Sequence, residues 1–229
     1  MRRLLSSRRQ REREGMFVCE GEDLVAAAEG AGIEPVELLV AGETVEPALL
    51  AEVSTLAHPP RVVGIFRRAD LPVGRRDATL ALWHVNDPGN VGTLLRAADA
   101  FGAGVALSAG CADPTGPKAL RASAGAVFRV PLSRFEPPAA ADVEAPRVAL
   151  VSHGGEPLPS VELGPRVTFV LGAERRGLPD DVVAACDRRA TIPQPGEAES
   201  LNVAMAGTVA LYEWARRAAV DESARSRNT

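Results

Sequence analysis

Residues 79–101 read Thr79-Leu80-Ala81-Leu82-Trp83-His84-Val85, then Asn86-Asp87-Pro88-Gly89-Asn90, then Val91-Gly92-Thr93-Leu94-Leu95-Arg96-Ala97-Ala98-Asp99-Ala100-Phe101. The first seven form a near-continuous apolar run, the pattern of a strand buried on both faces. The middle five carry Pro, Gly and Asn and make a turn. From Asn90 to Phe101 the composition is helical, and Gly102 stops it. The same alternation continues downstream. Strands are expected at 104–108, 127–130, 147–151, 167–171 and 190–192, and helices at 117–123, 179–186 and 201–219. Apolar strands alternating with helices imply an α/β fold with a parallel sheet covered on both faces. The tail from Asp221 is polar and expected to fray.

Upstream lies a smaller α/β unit. Helices are expected at 2–14, 22–31 and 45–57, and strands at 16–19, 35–40 and 61–66. Asp70-Leu71-Pro72-Val73-Gly74-Arg75-Arg76-Asp77 is polar and holds both breakers, so a domain boundary is placed there. The expected domains are 1–73 and 74–229.

Of the 229 residues 46% are hydrophobic and 24% charged, an ordinary globular mix. No apolar run reaches the ~18 residues of a membrane span. The N-terminus lacks the apolar core of a signal peptide, so a cytoplasmic protein is expected. Cys19, Cys111 and Cys186 are far apart and odd in number, which argues against disulfides and against a zinc site. The net charge of −4 does not advertise nucleic-acid binding. Its distribution is more informative. Of 26 basic residues only Lys118 is lysine. A GC-rich, alanine-rich coding bias accounts for most of that. The first fourteen residues carry Arg2, Arg3, Arg8, Arg9, Arg11 and Arg13 against two glutamates. This arm is either a phosphate-binding surface or a solvated helix face.

Ligands of open α/β sheets bind beyond the carboxyl ends of the strands. Three strand-to-helix turns there are rich in Gly, Pro and Asn: 86–96, 171–178 and 192–203. Familiar nucleotide motifs are missing. There is no phosphate loop, and Gly102-Ala103-Gly104 precedes a strand instead of following one. His58, His84 and His153 have no local Ser or Cys partner.

Asn90-x-Gly92-Thr93-x-x-Arg96-x-Ala98-x-x-Phe101-Gly102 resembles the first motif of the SpoU/TrmH family of RNA 2′-O-methyltransferases. Leu171-Gly172-x-Glu174-x-x-Gly177-Leu178 resembles the second. Ile192-Pro193, Gly196 and Ser200-Leu201-Asn202-Val203-Ala204 resemble the third. Lys118 to Gly125 is also similar to the family between motifs, and Arg13 to Val25 more loosely to its N-terminal substrate-binding extension.

The resemblance implies a SPOUT-superfamily α/β domain with a C-terminal trefoil knot, S-adenosylmethionine as cofactor, no metal, and a homodimer. The long C-terminal helix, with Leu201, Met205, Val209, Leu211, Tyr212 and Trp214 on more than one face, independently suggests burial against a second copy. Glycines 172, 177 and 196 would let knot segments approach closely. Leu171, Gly172, Gly177, Ile192, Pro193, Gly196 and Leu201 would form the cofactor pocket, with plain core packing as the other reading of the apolar side chains. Arg96 would bind the RNA phosphate and orient the ribose hydroxyl. A guanidinium stays protonated, so the phosphate or a group linked through it would take the proton. Asn90 would orient Arg96 or the substrate, and Glu174 would anchor the first motif. Ser200 would cap the last helix, and Asn202 would complete the polar cluster. Arg8, Arg9, Arg13, Lys118 and Arg121 are the candidate RNA contacts, with a solvated face as the alternative. The extension favours ribosomal over transfer RNA. A non-catalytic RNA-binding or ribosome-assembly protein of the same fold is the rival, and the intact polar set argues against it.

Overall fold

The computed structural model describes residues 1–135, 146–196 and 200–226, and two sheets carry the chain. The first holds β1 (Met16–Glu20), β2 (Glu37–Val40) and β3 (Val62–Arg67) in the order β1-β3-β2, antiparallel throughout. Around it lie α1 (Arg2–Ser6), α2 (Arg8–Glu14), α3 (Glu22–Gly30) and α4 (Pro47–Val53). The single helix expected over 2–14 is therefore two. Ser7 adopts an extended conformation (φ −129°, ψ 115°), and its Oγ accepts from Gln10 N. A serine that caps one helix ends the other.

The second sheet is wholly parallel. Its strands are β4 (Ala78–Leu82), β5 (Gly104–Leu107), β6 (Leu132–Arg134), β7 (Arg147–Leu150), β8 (Glu156–Pro157), β9 (Val167–Leu171) and β10 (Arg188–Thr191). Their order is β6-β5-β4-β9-β7-β10-β8. The helices are α5 (Pro88–Ala100), α6 (Pro117–Ser123), α7 (Asp180–Ala184) and α8 (Val203–Ser226). Alternate residues of the central strands bury both faces. Leu80, Leu82, Val105, Leu107, Phe169 and Leu171 share a core with Leu94, Leu95 and Leu211 of α5 and α8. Ala81, Ala106 and Val170 pack on the other side with Phe135 and Val182.

Two expectations in this part fail. The strand at 127–130 is a short 3-10 turn over Ala126–Phe128, and the real strand β6 follows it. Ala124 (φ 48°) and Gly125 (φ 81°) are both left-handed, so the chain turns there instead of extending. The tail expected to fray from Asp221 continues as helix through Ser226, while 227–229 lie outside the described residues. The short β8 was not foreseen, because two residues leave no pattern.

The two sheets are joined by a common core. Phe17 and Phe66 stack at 5.8 Å, and Phe128 from the second unit meets Phe66 edge-on at 5.2 Å. Leu24, Leu71, Leu120 and Val127 complete that cluster. Beside it Asp113 is buried between two arginines of the first unit. Arg11 Nε donates to Oδ2 at 2.7 Å, and Arg68 donates to Oδ1 at 3.1 Å. Thr115 donates to Oδ1 through both its backbone N–H and its hydroxyl. Burial alone would raise the Asp113 pKa. The Arg68 charge, then the hydrogen bonds from Arg11 and Thr115, outweigh it and hold the carboxyl below its ordinary value.

Candidate active site

Beyond the carboxyl ends of β9, β7 and β10 lies a cavity of about 490 Å³. That falls within the range of small-molecule pockets, roughly 300–1,000 Å³. Its wall is built from the two C-terminal turns: Leu171 to Leu178 on one side, and Ile192, Gln194 and Ser200 to Val203 on the other. The turn after β9 is tight because two glycines allow it. A Cβ on Gly172 would lie 2.1 Å from the carbonyl carbon of Gly177 and 2.4 Å from Leu178 N. Gly177 itself sits at φ 63°, and its N–H donates to Ala173 O at 2.8 Å. Side-chain-free backbone is thus a structural requirement at Gly172.

The three motif turns meet through hydrogen bonds. Asn90 Nδ2 donates to Glu174 Oε1 at 2.8 Å, and Asn202 Nδ2 donates to Asn90 Oδ1 at 3.1 Å. Residues 84 and 112 positions apart are brought into one chain of contacts. Asn90 itself is placed by the start of α5. Asp87 is the N-cap, its Oδ1 accepts from Asn90 N at 3.0 Å, and Pro88 occupies the first turn. The hydrogen bond from Lys118, then that from the Asn90 N–H, hold the Asp87 carboxyl below its ordinary pKa.

Of the residues singled out from sequence, Leu171, Gly172, Glu174, Gly177, Ile192, Ser200, Leu201 and Asn202 line the cavity. Pro193 and Gly196 are exposed and do not line it. Gly196 also departs from the expected crowding. Among the described residues nothing lies within 4 Å of its would-be Cβ. Residues 197–199 of the third motif lie outside the described residues. The cap of α8 is Asn202, not Ser200: Asn202 Oδ1 accepts from Ala204 N at 2.9 Å and from Met205 N at 3.4 Å. Ser200 is exposed on the cavity wall, two residues too early to cap a helix starting at Val203.

Arg96 is exposed on α5 and has no ion pair or hydrogen bond among the described residues. The other basic candidates are mostly engaged. Arg8 donates to Glu12 and to Cys111 O, Arg13 pairs with Glu14, and Lys118 pairs with Asp87. Arg121 donates to Thr55 Oγ1, whose neighbours Glu20 and Ser54 form a part-buried network. Arg9 is exposed without a partner among the described residues. Burial pushes all three cysteine thiols up, which keeps them protonated and unreactive. Among the described residues no cluster of His, Cys, Asp and Glu is arranged to hold a metal, and no helix is long and apolar enough to cross a membrane.

The cavity residues that had not been singled out include Arg175, Arg176 and Gln194. Gln194 Oε1 is buried without a hydrogen-bond partner among the described residues. The doubled arginine between Gly172 and Gly177 was the signal in the sequence, masked by the abundance of arginine elsewhere.

Comparison with known proteins agrees with this geometry. An uncharacterised tRNA/rRNA methyltransferase of Synechocystis is 33% identical over 94% of this chain and 89% of its own length. The Bacillus subtilis 23S rRNA (guanosine(2553)-2′-O)-methyltransferase RlmP is 29% identical over 91% of this chain and 92% of its own. Among solved structures, the SpoU methyltransferase AviRb of Streptomyces viridochromogenes in complex with AdoMet superposes with TM-score 0.82. It is 28% identical and covers 94% of this chain and 95% of its own. An AdoMet-bound rRNA methyltransferase from Sinorhizobium meliloti gives TM-score 0.83 at 28% identity, over 94% and 93% of the two chains. Residues 77–212 match the SpoU rRNA Methylase family, and with a parallel sheet whose three motif turns converge on one cavity, the chain belongs to that family.

Proposed function

We propose that the protein transfers a methyl group from S-adenosylmethionine to a ribose 2′-oxygen of ribosomal RNA. The observation that carries this is the Asn202–Asn90–Glu174 chain of hydrogen bonds, which ties the start of α5 to the rim of the cavity. The cavity fits the cofactor on two counts. Its volume is that of a small-molecule site, and Gln194 offers a buried acceptor with no partner among the described residues. The backbone of Leu171, Gly172, Gly177, Ile192 and Leu201 would hold it.

The bound cofactor supplies an activated methyl group on a sulfonium. The protein's own task is to present the nucleophile. Arg96 binds the phosphate beside the target ribose and orients the hydroxyl, because its planar guanidinium has no hydrogen bond or ion pair among the described residues. The phosphate, or a group linked through it, takes the proton. Asn90 and Glu174 fix the start of the helix on which Arg96 stands. The proposal includes a C-terminal trefoil knot, supported by the meeting of Leu171 to Leu178 with Ile192, Gln194 and Ser200 to Asn202 at one cavity.

The proposal also includes a homodimer. On α8, Met205 (60% exposed), Val209 and Tyr212 (56%) form an uncovered apolar stripe beside the cavity residues Val203 and Ala206. A helix apolar beyond its core-facing side must bury the surplus. Light scattering should give twice the 24.0 kDa chain mass, and a stable, active monomer would refute it.

The decisive experiment maps 2′-O-methyl sites in total RNA from a deletion strain and its parent. One ribosomal site should be missing. Loss of a transfer-RNA site alone would redirect the substrate. An unchanged map, with no labelled-methyl transfer in vitro, would favour the non-catalytic rival.

A further inference from the structure

We infer that Arg175 and Arg176 form a phosphate clamp for the substrate RNA at the mouth of the cavity. This rests on the reading of the site as an RNA methyltransferase. Both arginines line the cavity and both are exposed. Neither has an ion pair or a hydrogen bond among the described residues, whereas Arg8, Arg13, Lys118 and Arg121 are all engaged with protein groups. Their backbone is held firmly. The turn that carries them closes on itself through the Ala173–Gly177 bridge, and Gly172 is packed against Gly177 and Leu178. A rigid turn therefore presents two adjacent guanidiniums, uncompensated, at one opening.

Electrostatics says which ligand they serve. Two like charges side by side repel each other, and the cost falls only when an anion joins them. Glu174 is the nearest carboxylate in sequence, but it accepts from Asn90 and pairs with neither arginine. The cofactor carries an ammonium, a sulfonium and one carboxylate, so it is a net cation and adds to the positive charge. A polyanion removes it. The planar guanidinium fork matches two phosphate oxygens, which suits a sugar–phosphate backbone crossing the mouth. Arg96 would then hold the phosphate beside the reacting ribose, and the Arg175–Arg176 turn would hold another part of the same strand. The one rival for such a pair is the cofactor's own carboxylate.

The test is the salt dependence of binding to an unmodified 23S ribosomal RNA transcript, with S-adenosylmethionine titrated separately by calorimetry. The variant is Arg175→Gln with Arg176→Gln. The comparator is Arg76→Gln, an exposed arginine just before β4, at the amino ends of the strands and so opposite the cavity. Each phosphate contact contributes about 0.7 to the slope of log K against log salt for single strands and about 0.9 for duplex. The double variant should lose about 1.4–1.8 from that slope, with cofactor affinity unchanged or slightly improved. Arg76→Gln should leave both as in the wild type. An unchanged RNA slope in the double variant overturns the clamp. If cofactor affinity falls tenfold while the RNA slope holds, the arginines serve the carboxylate instead, and the clamp is likewise overturned. A wild-type protein with no affinity for the transcript refutes the ribosomal reading itself, a result distinct from either.

Discussion

Replacing Gly172 with alanine should damage both the fold around the cavity and cofactor binding. Carbon atoms pack best at about 3.5–4.0 Å. The new methyl would stand 2.1 Å from the carbonyl carbon of Gly177 and 2.4 Å from its oxygen. The obstacle is backbone, so no side chain can rotate away. Residues 177 and 178 must retreat by more than an ångström, which breaks the Gly177 N–H to Ala173 O hydrogen bond at 2.8 Å. Overpacking of this kind costs about 1–3 kcal/mol, and a lost hydrogen bond about 1 kcal/mol more. For a chain of this size each kcal/mol lowers Tm by roughly 2–4 °C, so a fall of about 4–16 °C is expected. The displaced segment is cavity wall, so S-adenosylmethionine affinity measured by calorimetry should fall at least about tenfold. Gly196→Ala is the internal comparison. With no described atom within 4 Å of its Cβ, it should change neither quantity on steric grounds. A Gly172→Ala protein with wild-type Tm and affinity would refute the close-approach argument.

Further outcomes are expected at four other places. Arg96→Ala should lose about 10²–10⁴ in single-turnover methyl transfer with cofactor affinity little changed, and Arg96→Lys should recover little, since an ammonium lacks the planar fork. Asn202→Ala removes the cap of α8 and should lower stability by about 1 kcal/mol in denaturant titration, while loosening Asn90 and slowing transfer. Asp113→Asn leaves Arg11, whose side chain is 6% exposed, without its counter-ion, and should cost about 3–5 kcal/mol at neutral pH. The folded-state pKa of Asp113 is lowered, so its contribution is present above the unfolded value of about 3.9 and is lost as pH falls through the folded value. Denaturation from pH 7 down to 2.5 should show this acid loss in the wild type and a flatter limb in Asp113→Asn. Deleting residues 1–73 removes Phe17, Phe66, Arg11 and Arg68 from contacts with Phe128 and Asp113, so the remaining domain should melt well below the full chain. An unchanged melting temperature would show that the shared core contributes nothing.

The larger sheet was legible because its strands are buried on both faces and write unbroken apolar runs, as at Leu80 to Leu82 and Val167 to Leu171. The polar groups that meet at the rim of the cavity were legible through motif spacing, which singled out Asn90, Glu174 and Asn202 before any geometry joined them. What the sequence hid were tertiary effects. Val127 and Phe128 look like a strand, yet they fill the seam between two units after two left-handed residues. Arg11 looks like one more surface arginine of a basic arm, yet it is buried against a carboxylate 102 residues away. Ser200 has the right chemistry for a helix cap, but the backbone enters α8 two residues later. Periodicity and composition carry no information about such long-range choices, which are settled by packing.

The strand order has a consequence for how the molecule comes into being. β9 lies between β4 and β7, and it pairs with β4 in full register from Ala78–Val167 to Leu82–Leu171. When a ribosome has made the first 150 residues, β4 therefore has an open edge of unpaired amides, and β7 has neither of its final neighbours. Such an edge is a template for pairing with the wrong chain. The middle of the sheet closes only after residues 167–171 emerge, and β7 gains its second neighbour only with β10. Parallel pairing across so many residues is slow, because the loop entropy is lost before the contacts repay it. Refolding from denaturant should be correspondingly slow and concentration-sensitive, and chains truncated before β9 should aggregate instead of persisting as folded fragments.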